Sequence, residues 1–340
     1  MPTYTGISSE AFRHPGDREA EQALRSVPGF ELVARKFVEF VSERPQFVYH
    51  LSSSIQVGPR QYSTLYGIFR ECVRDLDVYP EPSLFVTRNP LADAYALGKD
   101  NPYVVVSTDL LDSLDEAEIR AALANELGHI KCGHSILFQT GLWSIRVATA
   151  IGDMTMGLGN LIGSGLIFAF YEWLRYAELS ADRAALLVMD DPQPVTSMMM
   201  KMAGVSQKYA HECSLDELIK QSEDCQNLDE DSLNQIYKFL LYNAAPGAML
   251  THPFPVERLS HLRRWAESAE YRQIRAGNYR RSESEGALEV ESKSPQQEPR
   301  QKENPHQEPR QKENPQQKAE ELRRQVRELQ EQIDRIKSKK

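Results

Sequence analysis

Cysteine is scarce in this chain, and its few residues are widely separated. Four are present among 340 residues, and no two of them form a C-x-x-C pair: Cys72, Cys132, Cys213 and Cys225. This spacing argues against a disulfide framework and against a zinc ribbon built from thiolates. We therefore expect buried, reduced thiols.

Other missing features narrow the class of protein further. The formal net charge is −9, and no basic stripe with interleaved aromatic residues is present, so nucleic acid is not an expected partner. The first residues lack a charged start followed by an apolar core, so no secretory signal peptide is predicted. With 41% hydrophobic and 26% charged residues, the composition is typical of a soluble globular protein. We expect a cytoplasmic location.

A histidine is missing at the position where it would matter most. Residues 121–134 read AALANELGHIKCGH, and a histidine in place of Asn125 would complete an H-E-x-x-H motif. That motif sets two imidazoles at i and i+4 on one helix face, beside a glutamate that activates a zinc-bound water. Asn125, Glu126 and His129 occupy the motif positions here, so the geometry of a metal-binding helix is retained with one ligand changed.

The helix that carries this motif is predicted over residues 115–134. Ser113 and Glu116 form a capping-box pattern at its start. If the helix continued to its predicted end, His134 would lie about 140° from His129 on the helical wheel. We therefore do not expect His134 to replace the missing ligand.

A second helix, predicted around residues 174–187, carries two carboxylates at i and i+4. Glu178 and Asp182 lie in the sequence AELSADR and share one face. A zinc site needs a third protein ligand, and it needs an acceptor that takes the other N–H of a ligating imidazole. Glu178 and Asp182 suit these two roles.

The first 110 residues mix helix and strand patterns. Apolar residues at helical spacing predict an amphipathic helix over residues 65–73. Two short apolar runs, 83–87 and 103–107, are predicted strands that could pair in a small sheet.

The motifs NELGHIKCGH and AELSADR together resemble the gluzincin metalloendopeptidase family of the HtpX-type heat-shock proteases and CAAX prenyl endopeptidases. The shorter bacterial members are the most similar, and the resemblance runs from residue 13 to residue 258. It implies a mainly α (α+β) fold, a zincin-like domain with active-site helices and a small β-sheet. We place this domain at residues 1–280, with helices and sheet in 1–110 and catalytic helices in 111–280.

The resemblance also implies the roles of individual residues. One zinc ion per chain would be held by His129 and Glu178, while Glu126 would be the general base and Asp182 would support a ligand. His252, in a His-Pro loop, would stabilise the oxyanion or approach the metal.

The resemblance implies a substrate edge as well. The segment Asp93–Gly98 resembles the family stretch at the edge of the substrate cleft, although Asp93 replaces the usual asparagine. An extended polypeptide substrate would add to this edge as a strand. Arg258 is expected to anchor the His252 loop.

Asn125 leaves two functions open. An amide oxygen is a harder ligand than imidazole and suits zinc less well, so Asn125 as a metal ligand weakens zinc affinity. His252 is then the best candidate to complete the site. The leading hypothesis is a zinc-dependent metalloendopeptidase; the alternative is a pseudoprotease that keeps the fold and binds a polypeptide or a partner.

Residues 154–171 carry no charge and raise the question of a membrane span. The segment is rich in glycine, and a single span would separate His129 from Glu178 across the bilayer. We expect a buried or interfacial helical hairpin, with membrane-surface association as the alternative.

The sequence changes character after residue 280. Residues 281–317 contain a polar, proline-punctuated repeat and are predicted to be a disordered linker. Residues 318–340 place apolar side chains at heptad spacing over a short helix. That helix could be solitary and solvated, or it could be a short coiled coil that mediates self-association or partner binding.

Overall fold

The computed structural model describes residues 2–27, 29–32, 34, 44–89, 93–98, 100–154, 160–227 and 255–282. They belong to one compact unit, Met1–Glu285. The predicted C-terminal helix, most of the predicted linker and the His252 loop lie outside the described residues.

Helices form most of the described structure. Their bounds are α1 Pro15–Ser26, α2 Arg44–Ser53, α3 Ser63–Asp75, α4 Thr108–Ser113, α5 Glu116–Lys131, α6 His134–Met154, α7 Asn160–Met189, α8 Pro192–Ala203, α9 Leu215–Asn227, α10 Pro255–Ala266 and α11 Ala269–Arg275. The strands are β1 Ile55–Gln56, β2 Ser83–Thr87, β3 Ala94–Leu97 and β4 Tyr103–Ser107. The predicted mainly α fold with a small sheet is confirmed.

The four strands form one mixed sheet in the order β1-β2-β4-β3. The two predicted strands are confirmed as β2 and β4, which pair in parallel, while β1 and β3 are antiparallel to their neighbours. Valine side chains fill β4, which is buried along its whole length because it lies inside the sheet. Among the described strands, β3 pairs only with β4, so its other edge faces away from the sheet.

The motif helix α5 begins two residues later than the capping pattern predicted. Asp115 accepts from the backbone N–H of Glu118, and the Glu118 carboxylate accepts from the N–H of Asp115. Ser113 ends the preceding helix α4 and donates its hydroxyl to the carbonyl of Asp109. The Ser113–Glu116 prediction was wrong because a short helix occupies the segment before α5.

Helix α5 lies at the centre of the fold and packs against α3, α7, α8 and the sheet. Its closest approach is to α7, where a Cβ atom on Gly128 would lie 2.7 Å from the Cβ of Ala184 and 3.1 Å from the Cα of Ala181. Only small residues allow two helices to come this close. The crossing brings the two predicted site helices together.

The segment that raised the question of a membrane span lies partly outside the described residues. Helices α6 and α7 flank residues 155–159 and pack against each other, with Gly141 directly under the ring of Phe170. Within the described ranges, no helix combines the length and the apolar character that a bilayer span requires.

Candidate metal centre and active site

The crossing of α5 and α7 brings together five residues that the sequence analysis singled out. Asn125 and Glu126 are about 5% and 6% exposed, and Glu178 and Asp182 are more deeply buried. His129, one helical turn after Asn125, keeps 15% of its side chain accessible. His252 lies outside the described residues.

Two pairs of side chains connect α5 and α7 directly. His129 Nε2 lies 3.3 Å from Glu178 Oε1. One turn earlier, the amide Nδ2 of Asn125 donates to Asp182 Oδ1 at 3.0 Å. Because the amide nitrogen is engaged, the amide oxygen is the atom of Asn125 that could bind a metal.

Arg258 on α10 joins both carboxylates of α7. Its Nε and Nη2 donate to the two oxygens of Asp182 at 2.8 and 2.5 Å, and its Nη1 lies 3.2 Å from Glu178 Oε2. Arg258 is itself buried, so these ion pairs are shielded from water. Arg258 therefore fixes the carboxylates of α7. Its predicted contact with the His252 loop stays a prediction, because that loop lies outside the described residues.

Burial and mutual charge shift the ionisation of the central groups. Burial raises the pKa of Glu126 to about 7, partly opposed by His129. Burial lowers the pKa of His129, but the adjacent carboxylate of Glu178 outweighs it and the pKa rises to about 9. Burial also raises the pKa of Asp182, and Arg258 limits that rise.

The pair His129 and Glu178 has the spacing of two zinc ligands. With zinc–ligand bonds of about 2.0–2.2 Å, two atoms at tetrahedral corners lie about 3.3–3.6 Å apart. No group of three His, Cys, Asp or Glu side chains in the described part of the chain is arranged to hold a metal. Asn125 occupies the remaining position on α5. His129 and Glu178 are thus the two strong donors that the structure brings together, and the amide of Asn125 lies one turn earlier on α5 beside Asp182.

The structure adds His134 and Asp17, which the sequence analysis left out of the site. Helix α5 ends at Lys131, and Gly133 turns the chain with a φ of +74°. His134 consequently lies with its Nδ1 3.1 Å from His129 Nδ1, and its Nε2 lies 2.9 Å from Asp17 Oδ2. The helical-wheel premise of a helix that continues to His134 was wrong because α5 ends first, while the expectation that His134 does not replace the missing ligand stays a prediction. The glycine just after the helix was the signal for this turn.

A largely apolar cavity opens beside the pair His129 and Glu178. It holds about 490 Å³ of empty space, including its open mouth. The edge strand β3 forms one wall and helices α5, α6 and α7 form the others. Its lining residues are Ala94, Tyr95, Ala96, Glu126, His129, His134, Ser135, Phe138, Trp173, Leu174, Ala177 and Glu178.

Comparison with known proteins gives consistent matches. The model of peptidase family M48 matches residues 59–266. The plastoglobule-localized metallopeptidase 48, chloroplastic, of Arabidopsis thaliana is 32% identical over 275 residues, covering 80% of this chain and 76% of that protein. The protease HtpX homolog of Moorella thermoacetica is 24% identical over 64% of this chain and 77% of its own length.

The protease HtpX homolog 2 of Methanosarcina mazei is 29% identical over 172 residues, which are 44% of this chain and 58% of that protein. No solved structure matches. The family model covers more than half of the chain, including every residue of the α5–α7 crossing and Arg258. The chain belongs to peptidase family M48 and is an HtpX-like metallopeptidase by descent.

Proposed function

We propose that this protein is a zinc-dependent metalloendopeptidase that hydrolyses peptide bonds with Glu126 as the general base. The observation that carries the proposal is the close pair of His129 Nε2 and Glu178 Oε1, which lines one cavity together with the buried Glu126. The site combines two strong metal ligands with a carboxylate of raised pKa. Peptidases of the H-E-x-x-H type use these groups.

Each side chain has a defined task in this proposal. His129 and Glu178 would hold the zinc, and Asn125 would complete the protein ligands through its amide oxygen. When bound, zinc polarises the scissile carbonyl and lowers the pKa of water. Glu126, buried beside this pair, takes the proton from the attacking water as the general base. His252 remains a proposed oxyanion donor or additional ligand.

The substrate would be a polypeptide bound in extended form along β3. The outer edge of this strand borders the cavity, and Ala94, Tyr95 and Ala96 line it. Main-chain hydrogen bonds to an edge strand hold a peptide regardless of its sequence. The apolar wall formed by Phe138 and Leu174 would receive an apolar substrate side chain.

Asn125 also supports a second candidate, a pseudoprotease that binds polypeptide without cutting it. The loss of one metal-binding imidazole should lower zinc affinity by at least about the 10–100-fold that weaker disturbances of a metal site cause. Arg258 pairs with both Glu178 and Asp182, and His129 pairs with Glu178, so these buried carboxylates have cationic partners without a metal.

The two candidates are separated by measuring zinc content and cleavage of an unfolded protein in the same samples. The chain is compared with its Asn125→His variant and with that variant carrying Glu126→Gln. We expect Asn125→His to bind one zinc and to cleave faster than the unchanged chain. Adding Glu126→Gln should keep the zinc and reduce cleavage about 10²–10⁴-fold, because only the base is lost.

Each alternative outcome has a definite meaning. An unchanged chain that holds no zinc and does not cleave, beside an active Asn125→His variant, identifies a peptidase disabled by one residue. If Asn125→His binds no zinc, the zinc proposal is wrong. A cytoplasmic location, membrane-surface association and association through residues 318–340 stay predictions from the sequence.

A further inference from the structure

Asp17 is a buried carboxylate surrounded by hydrogen-bond donors. Arg13 donates to both of its oxygens, at 2.8 and 2.9 Å, and the indole of Trp173 donates to Oδ1 at 3.2 Å. Ser180 donates its hydroxyl to Oδ2 at 2.7 Å and itself accepts from the backbone N–H of His14. Asp17 is therefore held as an acceptor, without a proton of its own.

Because Asp17 can only accept, the direction of its hydrogen bond with His134 is fixed. His134 Nε2 lies 2.9 Å from Asp17 Oδ2, and an acceptor at that position requires Nε2–H on His134. A neutral His134 then has a lone pair on Nδ1. His129 Nδ1 lies 3.1 Å away, so in this arrangement it is the donor, and its proton lies between the two rings.

We propose that Asp17 and His134 are positioning residues that keep the Nδ1–H of His129 on His134 and fix its ring orientation, so that Nε2 faces Glu178 and is the nitrogen that a metal would take. Metal-ligating histidines commonly donate their other N–H to a carboxylate or carbonyl. Here the acceptor is a second imidazole, that of His134. The orientation of His134 is fixed in turn by the carboxylate of Asp17 in α1. This inference deepens the proposed function and relies on it for the role of His129 as a ligand.

The surroundings of His134 hold it in the required orientation. Its side chain is almost fully buried, and the ring of Trp173 packs edge-on against it at 5.7 Å between centroids. Arg13 donates to both oxygens of Asp17 and balances its charge, so His134 needs no charge of its own there. Helix α1, which supplies Asp17, precedes residues 59–266 and so lies outside the segment matched by the family model.

The direction of the hydrogen bonds can be read by nuclear magnetic resonance on the full chain. The protein is labelled with ¹⁵N-histidine and kept metal-free with a chelator, so neither zinc binding nor cleavage is needed. We expect His134 as the neutral Nε2–H tautomer. We also expect a scalar coupling between the two Nδ1 nitrogens, because a proton shared by an N–H···N bond couples them.

The opposite arrangement is equally well defined. If His134 carries protons on both nitrogens, it donates to His129, whose own proton then sits on Nε2 and blocks metal binding. That result, or the absence of the coupling, overturns the proposal. The signals are assigned with the His134→Leu variant, in which the coupling must vanish, and with Ser180→Ala, in which it must remain.

A second measurement tests the consequence for metal binding. In the Asn125→His chain, His134→Leu should weaken zinc affinity about 10–100-fold, as loss of an outer partner of a ligand does. Ser180→Ala removes a hydrogen bond from the same carboxylate but leaves the link to His129, and should not change the affinity. An equal effect of both variants contradicts the positioning role. If Asn125→His binds no zinc, the proposed function fails while the resonance experiment still decides the hydrogen-bond chain.

Discussion

Asp17 shows how much a single buried charge can contribute to this fold. Burial by itself would raise its pKa, but the hydrogen bonds and charges of Arg13 and His134 outweigh burial and hold the pKa far below its usual range. A carboxylate with a lowered pKa stabilises the folded state at every pH above its unfolded pKa of about 3.9. This stabilisation is lost as the pH falls towards the pKa of the folded state.

The substitution Asp17→Asn should therefore lower the free energy of unfolding by about 1.5–3 kcal/mol at pH 7, because it removes the charge that accepts from Arg13 and His134, while Arg13 keeps its ion pair with Glu21. The difference from the unchanged chain should stay constant from pH 7 to about pH 5 and shrink below about pH 4. Urea unfolding followed by tryptophan fluorescence at each pH measures it. Ser180→Ala is the control, with an expected loss of about 0.5–1.5 kcal/mol that does not depend on pH. A loss for Asp17→Asn that is constant down to pH 3 would contradict the ionised carboxylate.

The residues that sequence could assign to the site are those with a helical spacing. Glu126, His129, Glu178 and Asp182 each lie in a short motif, and the structure brings these motifs into contact. Asp17 is separated from His134 by 117 positions and belongs to no periodic pattern, so no local rule links the two. Their contact follows from the packing of α1 against α7, which the sequence does not encode as a motif.

Two helices can place ligands on one metal only if their backbones come close together. At the crossing of α5 and α7 this approach depends on Gly128 and on the alanines that face it. A methyl group on Gly128 would lie 2.7 Å from the Cβ of Ala184 and 3.1 Å from the Cα of Ala181, both on α7. The helices must then separate, which would also move His129 away from Glu178.

We expect Gly128→Ala to lower the free energy of unfolding by about 1–3 kcal/mol, as overpacking of a core does. The matched control is Gly67→Ala in the exposed interior of α3, where a Cβ atom meets nothing within 4 Å. There the higher helix propensity of alanine should stabilise the protein by about 0.5–1 kcal/mol. Chemical denaturation of both variants gives the comparison. If both substitutions stabilise the chain equally, the close crossing is not required.

Helices and strands were predicted accurately where the sequence shows one clear spacing of apolar residues. The prediction failed where two residues could each cap the same helix. The predicted helix over residues 65–73 lies inside α3, and the two predicted strands match β2 and β4 to the residue. The start of α5 was misplaced because Ser113 and Asp115 are both good capping residues. The hydrogen bond that Ser113 makes within α4 decides between them, and a pattern of residue types does not contain that information.

At the scale of the whole molecule, the fold class followed from the family resemblance that the motifs of the two site helices carry, and the structure confirms it. The order of the strands in the sheet was harder to predict. Strands β2 and β4 pair in parallel although β3 lies between them in the chain, and no local pattern indicates that pairing. The family match over residues 59–266 spans the sheet and the site helices, but helix α1 lies before it. Helix α1 nevertheless packs on α7, and its Ala20 and Leu24 join an apolar cluster around Phe170 and Trp173.

The extent of this core gives a prediction for the C-terminal part of the chain. In the described residues, the buried apolar side chains run from Tyr4 to Ile274, and the first compact unit ends at Glu285. We therefore expect a chain that ends at Glu285 to have the same urea midpoint as the full chain, because every buried apolar side chain of the described residues is kept. A lower midpoint would mean that residues 286–340 contribute to the core.

Sedimentation equilibrium on the same two chains tests the predicted coiled coil, since self-association through residues 318–340 must disappear on truncation while folding stays intact.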